Sequence, residues 1–185
     1  MYPGGFLLEL SETIDGIEQT LQYSIEERNE LFLDLAENYR GEGLYEKYLE
    51  PVAQLAEQLS EQGIDEEVVK EWQEFEVQFL KYQPLMRRFL LTELYADSLK
   101  PEGNLEEMVV QVQWIAMEYT MIRHSLFLKW MQDGCRDLAY ETLRDYLVLI
   151  TRMTGYEEDD IYEYLENSFD ELVWEWGYLS LIVGK

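Results

Sequence analysis

The stretch between Gly103 and Gly134 constrains the fold more than any other part of the chain, because it contains neither glycine nor proline. Its first half repeats apolar residues at helical spacings of three and four, and residues 117–128 are apolar on almost every side. We therefore predict one long central helix over about 104–132, opened by an Asn104 cap. A helix without a polar face is buried, so other helices must surround it.

The rest of the chain shows the same helical spacing between only four prolines and eleven glycines. This pattern predicts an all-α fold of seven to nine helices around the central one. We expect a single domain over 1–185, with 1–63 as a candidate N-terminal helical lobe. The other predicted helices cover about 6–22, 24–39, 44–62, 65–80, 84–99, 138–153, 159–167 and 169–182.

Local signals set several of these boundaries. Ser24 and Glu27 have the spacing of a capping box, which predicts that a helix opens at residue 24. Asp65 is a natural N-cap for the helix that follows it. Pro84 predicts an interruption, and Pro51 is a candidate kink or break inside its helix.

The charge balance excludes whole classes of partner. The chain carries 39 acidic against 14 basic side chains, a net charge of −25, so nucleic acid and anionic lipid surfaces would repel it. Its 47% hydrophobic and 14% aromatic content nevertheless predicts a folded core. We find no apolar run of about 18 residues and no basic leader followed by an apolar stretch. We therefore expect a cytoplasmic protein with neither a nucleic-acid nor a membrane partner.

Cysteine and histidine are too scarce for most metal sites. Cys135 is the only cysteine and His124 the only histidine, so this chain cannot form an internal disulfide, a Cys/His zinc site or a cysteine-ligated iron–sulfur cluster by itself. Met121 stands three residues before His124, where a di-iron helix bundle would have glutamate. We expect no metal and no cofactor in this chain, and we treat Cys135 as a weak candidate nucleophile.

The central helix and one basic pair supply the candidate site residues. His124 is a candidate general base or polar contact in an internal groove, although a hydrogen-bonded or partly exposed histidine is the simpler explanation of its position. Arg87 and Arg88 form the only adjacent basic pair, which suits contact with an acidic partner. The candidate partner-binding groove comprises Glu118, Tyr119, Arg123, His124, Arg87 and Arg88.

Several helical segments follow one another in a recognisable order, namely 21–28, 79–82, 89–95, 115–123, 143–153 and 176–182. This order resembles the C-terminal helical region of the flagellin lysine-N-methylase family. The resemblance implies part of an enzyme that methylates flagellin lysines with S-adenosylmethionine and carries a cysteine-rich segment for an iron–sulfur cluster. This chain lacks those cysteines, and Met153-Thr154 stands where the family's Glu-His pair is expected, so we transfer no catalytic or metal residue.

Three functions remain open at this stage. The first is a helical domain that binds flagellin or a cysteine-rich catalytic partner and is not catalytic alone; any enzyme it belongs to would be an S-adenosylmethionine-dependent protein-lysine methyltransferase. The second is an acidic inhibitor or DNA mimic that blocks a basic nucleic-acid-binding surface. The third is a chaperone-like helical bundle. The oligomeric state is not predicted.

Overall fold

The computed structural model describes residues 20–41, 43–98, 105–155, 161, 179 and 181–183. These residues contain no strand, which confirms the predicted all-α class. Their helices are α1 (Leu21–Glu37), α2 (Gly43–Gln62), α3 (Glu66–Phe79), α4 (Gln83–Glu93), α5 (Leu105–Gln132) and α6 (Tyr140–Met153). A 3₁₀ turn, Leu80–Tyr82, joins α3 to α4, and a π-helical turn, Leu94–Ser98, follows α4.

Parts of the sequence prediction lie outside the described residues. They include the Asn104 cap and most of the helices expected over 6–22, 159–167 and 169–182. None of the described helices is both long enough and apolar enough to cross a membrane.

The start of α1 corrects the capping-box prediction. The helix begins at Leu21, and the Thr20 hydroxyl caps it by accepting a hydrogen bond from the Tyr23 amide at 3.1 Å. Ser24 lies inside the helix, fully buried, and its hydroxyl donates to the Leu181 carbonyl at 2.7 Å. The hydroxyl that the sequence assigns to a helix end therefore ties α1 to the C-terminal part of the chain.

The other local signals correspond to real boundaries. The Asp65 carboxylate caps α3 by accepting from the amides of Glu67 and Val68, at 2.9 and 3.0 Å. Gly63 separates α2 from α3 with a φ of +80°, a left-handed conformation that glycine adopts without strain. Pro84 stands in the first turn of α4, where its missing N–H costs no helical hydrogen bond. Pro51 does not break α2.

Hydrogen bonds to another part of the chain set the residue at which α6 begins. The sequence predicts a helix from residue 138, but α6 begins at Tyr140. The Leu138 amide donates to the Gln78 side chain at 2.7 Å, and the Leu138 carbonyl accepts from the Tyr82 hydroxyl at 2.7 Å. Because both backbone groups of Leu138 bond to the α3–α4 region, the helix starts after it.

Helix α5 is the buried centre that the sequence predicts. It packs against α1, α2, α3, α4 and α6. Most of its second half is buried because these neighbouring helices cover it, and only Tyr119, Arg123 and Lys129 in 117–130 are partly exposed. The fully buried apolar side chains of this half include Met121, Ile122, Leu126, Phe127 and Leu128.

We expect Ser24→Ala to lower the free energy of unfolding by about 1 kcal/mol, because the Leu181 carbonyl loses its buried donor. Urea denaturation followed by circular dichroism measures the change. Gln22→Ala is the matched control on α1, since the exposed Gln22 side chain donates to the Glu26 carboxylate of the same helix at 3.3 Å. Equal stability of the two variants would contradict the structural role of Ser24.

Candidate functional site

A polar cluster lies inside the core where α1, α2 and α5 meet. The Asn29 amide nitrogen donates to the Ala56 carbonyl and to the Ser60 hydroxyl, both at 2.8 Å. Its amide oxygen is therefore left to accept from His124 Nε2, 3.1 Å away. With its two donors and its carbonyl oxygen bonded, Asn29 connects three helices.

His124 is a structural residue in this arrangement. It has no exposed surface, and burial, followed by the charges of Arg28 and Arg123, lowers its pKa from 6.5 to about 3. The ring is thus neutral at physiological pH. Because Asn29 requires a donor, Nε2 carries the proton.

Two guanidinium groups lie over the Trp72 ring. The Arg28 guanidinium carbon is 4.7 Å from the ring centroid, and that of Arg123 is 5.1 Å from it. Glu76 forms a two-point ion pair with Arg123, with its oxygens 2.7 Å from Nε and 2.6 Å from Nη2. Two cations therefore share one ring and one nearby carboxylate.

Arg28 is the less well compensated of the two cations. It is fully buried, and its Nε donates to the Ile182 carbonyl. Its Nη1 and Nη2 atoms find no hydrogen-bond partner among the described residues. Burial, then repulsion from Arg123, lowers the pKa of Arg28 to about 9, so it still carries its charge at neutral pH. A buried guanidinium with two unpaired nitrogens is energetically costly.

A cavity of about 710 Å³ opens beside Glu76 and Arg123, between α3, α4 and α5. We call it the arginine groove. Its polar lining consists of Glu76, Gln83, Arg87, Tyr119 and Arg123. Its apolar lining consists of Phe79, Leu80, Pro84, Met86, Leu90, Leu91 and Val183. Burial raises the pKa of the Tyr119 phenol, so that group remains a hydrogen-bond donor at neutral pH.

The structure brings together only part of the predicted site. Arg87, Tyr119 and Arg123 line the arginine groove. His124 is buried next to Asn29, and the buried Glu118 accepts from the Thr154 hydroxyl at 2.6 Å. Neither of these two side chains lines the groove.

Arg88 faces a different cavity from its neighbour Arg87. This second groove, of about 280 Å³ between α4 and α6, also has Leu85, Tyr140 and Arg144 in its lining. Successive residues of a helix point about 100° apart, so two adjacent exposed arginines on α4 can line different grooves.

We call Arg28, Trp72, Glu76 and Arg123 the cation cluster. The sequence predicts only Arg123 of these four as a site residue. A signal for Arg28 was present, since it occupies the buried stripe of α1 that also contains Ile25, Phe32 and Leu35. A charged residue at an apolar position of an amphipathic helix marks a buried polar site. No comparable signal distinguishes Glu76 from the other exposed-face glutamates of α3.

The described residues contain no group of three or more histidine, cysteine or carboxylate side chains placed to hold a metal ion. Cys135 is partly buried beside Glu71, with its sulfur 3.5 Å from a carboxylate oxygen. Burial, followed by the charge of Glu71, raises the pKa of this thiol to about 11. The Cys135 thiol is therefore protonated at neutral pH and is a poor nucleophile.

We expect the stability cost of His124→Gln to be about 2 kcal/mol smaller at pH 5 than at pH 8. Between its ordinary pKa of 6.5 and its folded pKa of about 3, His124 binds a proton only in the unfolded chain, so the wild type loses stability as the pH falls. Glutamine does not titrate. Urea denaturation of both proteins at the two pH values measures the difference, and an equal cost at both would show that folded His124 titrates normally.

Comparison with known families agrees with the resemblance described from the sequence. No curated protein and no solved structure gives a significant match. A family model described as the FliB lysine N-methylase C-terminal domain matches residues 6–182, which is nearly the whole chain. The chain therefore belongs to the FliB lysine N-methylase C-terminal domain family.

Proposed function

We propose that this chain is a protein-recognition domain of flagellin lysine methylation, which binds flagellin or the cysteine-rich catalytic segment and does not transfer methyl groups alone. Family membership supplies the context. The observation that carries the proposal is the outer side of α4, where apolar and basic side chains are exposed together on a strongly acidic protein.

Helix α4 buries little of its own surface. Met86 is its one buried side chain, whereas Leu85 and Leu91 are 36% and 44% exposed. Arg87 and Arg88 are exposed between them. We call these residues the α4 surface. Exposed aliphatic groups beside arginines are typical of protein interfaces, where arginine is enriched and aliphatic groups supply buried area.

Charge indicates how a partner would approach this surface. The whole chain carries −25, so most of its exterior repels acidic segments, and the α4 surface is a local exception. A partner segment with acidic and apolar side chains would be steered there, and a wrong orientation would bring like charges together.

The states of two side chains support a non-catalytic role for the isolated chain. His124 is buried and neutral, and the Cys135 thiol is held protonated. These are the side chains whose chemistry best suits proton transfer or nucleophilic attack at neutral pH. Methyl transfer in this proposal therefore depends on the cysteine-rich segment of the family and on S-adenosylmethionine.

We expect the double variant Arg87→Glu/Arg88→Glu to weaken partner binding by about tenfold or more, because it replaces two attractive contacts with repulsive ones. Calorimetric titration of the chain with purified flagellin and, separately, with the cysteine-rich segment measures the effect. The melting temperature should change little, since both arginines are exposed.

The matched control is Lys47→Glu/Lys70→Glu, which changes the net charge equally at two exposed positions on α2 and α3. Equal weakening by both double variants would show that net charge matters and the α4 surface does not. Failure of the wild-type chain to bind either ligand in moderate salt would reject the proposed function. Arg123 is unsuitable for this test because its ion pair with Glu76 also supports the fold.

A further inference from the structure

We propose that the arginine groove is a binding site for a small organic acid, with a single carboxylate at the polar end and an apolar body along the wall. The inference does not rest on the proposed function, since it concerns the cavity and the buried cation beside it, and it shares with the α4 surface only Arg87 and Leu91. It rests on the charge balance of the cluster, on the size of the cavity and on the division of its lining into polar and apolar parts.

The charges beside the groove favour the binding of an anion. Arg28 and Arg123 lie over the same ring of Trp72, and Glu76 is the nearby carboxylate, paired with Arg123. Within the group around Trp72, this pairing leaves Arg28 without a carboxylate, and its Nη1 and Nη2 have no acceptor in the described part of the chain. Orphaned polar groups of this kind in a native core often mark a site for an ion or ligand. Arg28 lies behind the groove wall, because its Nε bonds Ile182, the residue before Val183 in the lining.

A carboxylate in the groove would meet donors as well as charge. The Tyr119 phenol can donate one hydrogen bond, and the exposed Arg87 guanidinium at the rim can donate two. Arg28 and Arg123 add positive charge from the wall, in a region of reduced dielectric where charge acts over longer distances. A single buried guanidinium without a carboxylate fits a monocarboxylate better than a polyanion, which the net charge of −25 would repel.

The apolar wall and the volume indicate the rest of the ligand. Phe79, Met86 and Leu90 line the groove beside its polar residues and would cover an aliphatic or aromatic body. A volume of about 710 Å³ lies within the range of small-ligand sites. The geometry therefore fits an amphipathic acid better than an inorganic anion.

Calorimetric titration with 4-phenylbutyrate tests the proposal, with 4-phenylbutylamine as the charge-reversed probe. We expect the acid to bind the wild-type chain and the amine not to bind. Arg87→Gln should weaken acid binding by about tenfold. Arg88→Gln removes the same charge from the next position of α4 but faces the other groove, so it should leave the affinity unchanged.

A third variant examines the buried cation. Arg28→Met keeps a long side chain and removes the unpaired charge, so we expect weaker acid binding without a lower melting temperature. Equal binding of amine and acid, equal effects of Arg87→Gln and Arg88→Gln, or an Arg28→Met protein that binds the acid as the wild type does would each overturn the proposal. So would failure of the acid to bind in the millimolar range while an acidic, apolar peptide binds, since the groove would then be a protein-docking site.

Discussion

Along its second half, most side chains of helix α5 are buried, and the positions of the other helices follow from this. Five helices pack against it, and its buried stretch also contains polar groups that need partners. The Ser125 hydroxyl donates a hydrogen bond to the Ile122 carbonyl of the same helix, at 3.0 Å. His124 instead requires the Asn29 side chain of α1, and Asn29 in turn requires α2. Burial of one helix thus fixes the approach of two others through a single chain of hydrogen bonds.

The same burial explains the unusual electrostatics of the interior. The whole chain carries a large negative charge, yet two arginines, Arg28 of α1 and Arg123 of α5, lie over Trp72 of α3. The Glu76 carboxylate balances the charge of Arg123 through two hydrogen-bonded contacts. The charge of Arg28 is stabilised by the Ile182 carbonyl and the face of the Trp72 ring. Because solvent does not screen Arg28, its charge influences His124, Tyr119 and Arg123 together. The interior polarity is therefore a property of the cluster as a whole.

Local chemistry in the sequence predicted most of the described fold but only part of the site. Asp65 and Pro84 act within one helical turn, so their effects follow from neighbouring residues. Ser24 misled the prediction because the carbonyl it bonds belongs to Leu181, which no local pattern connects to it. Helical spacing placed Tyr119 and Arg123 on one helix, whereas Arg28, Trp72 and Glu76 come from α1 and α3 and join them only through packing. Contacts between helices distant in sequence carry no periodic signal, which is why the cation cluster appeared only in the structure.

The order of the helices along the chain has a consequence for synthesis on the ribosome. A largely apolar helix promotes aggregation while its surface is exposed to solvent. Helices α1 to α4 all precede α5, and each of them contributes to the walls that enclose it. Since chains emerge from the amino terminus, these four helices leave the ribosome before α5 does. Helix α5 therefore emerges when four of the helices that pack against it are already outside the ribosome. Of the described helices packed against it, only α6 follows it in the chain.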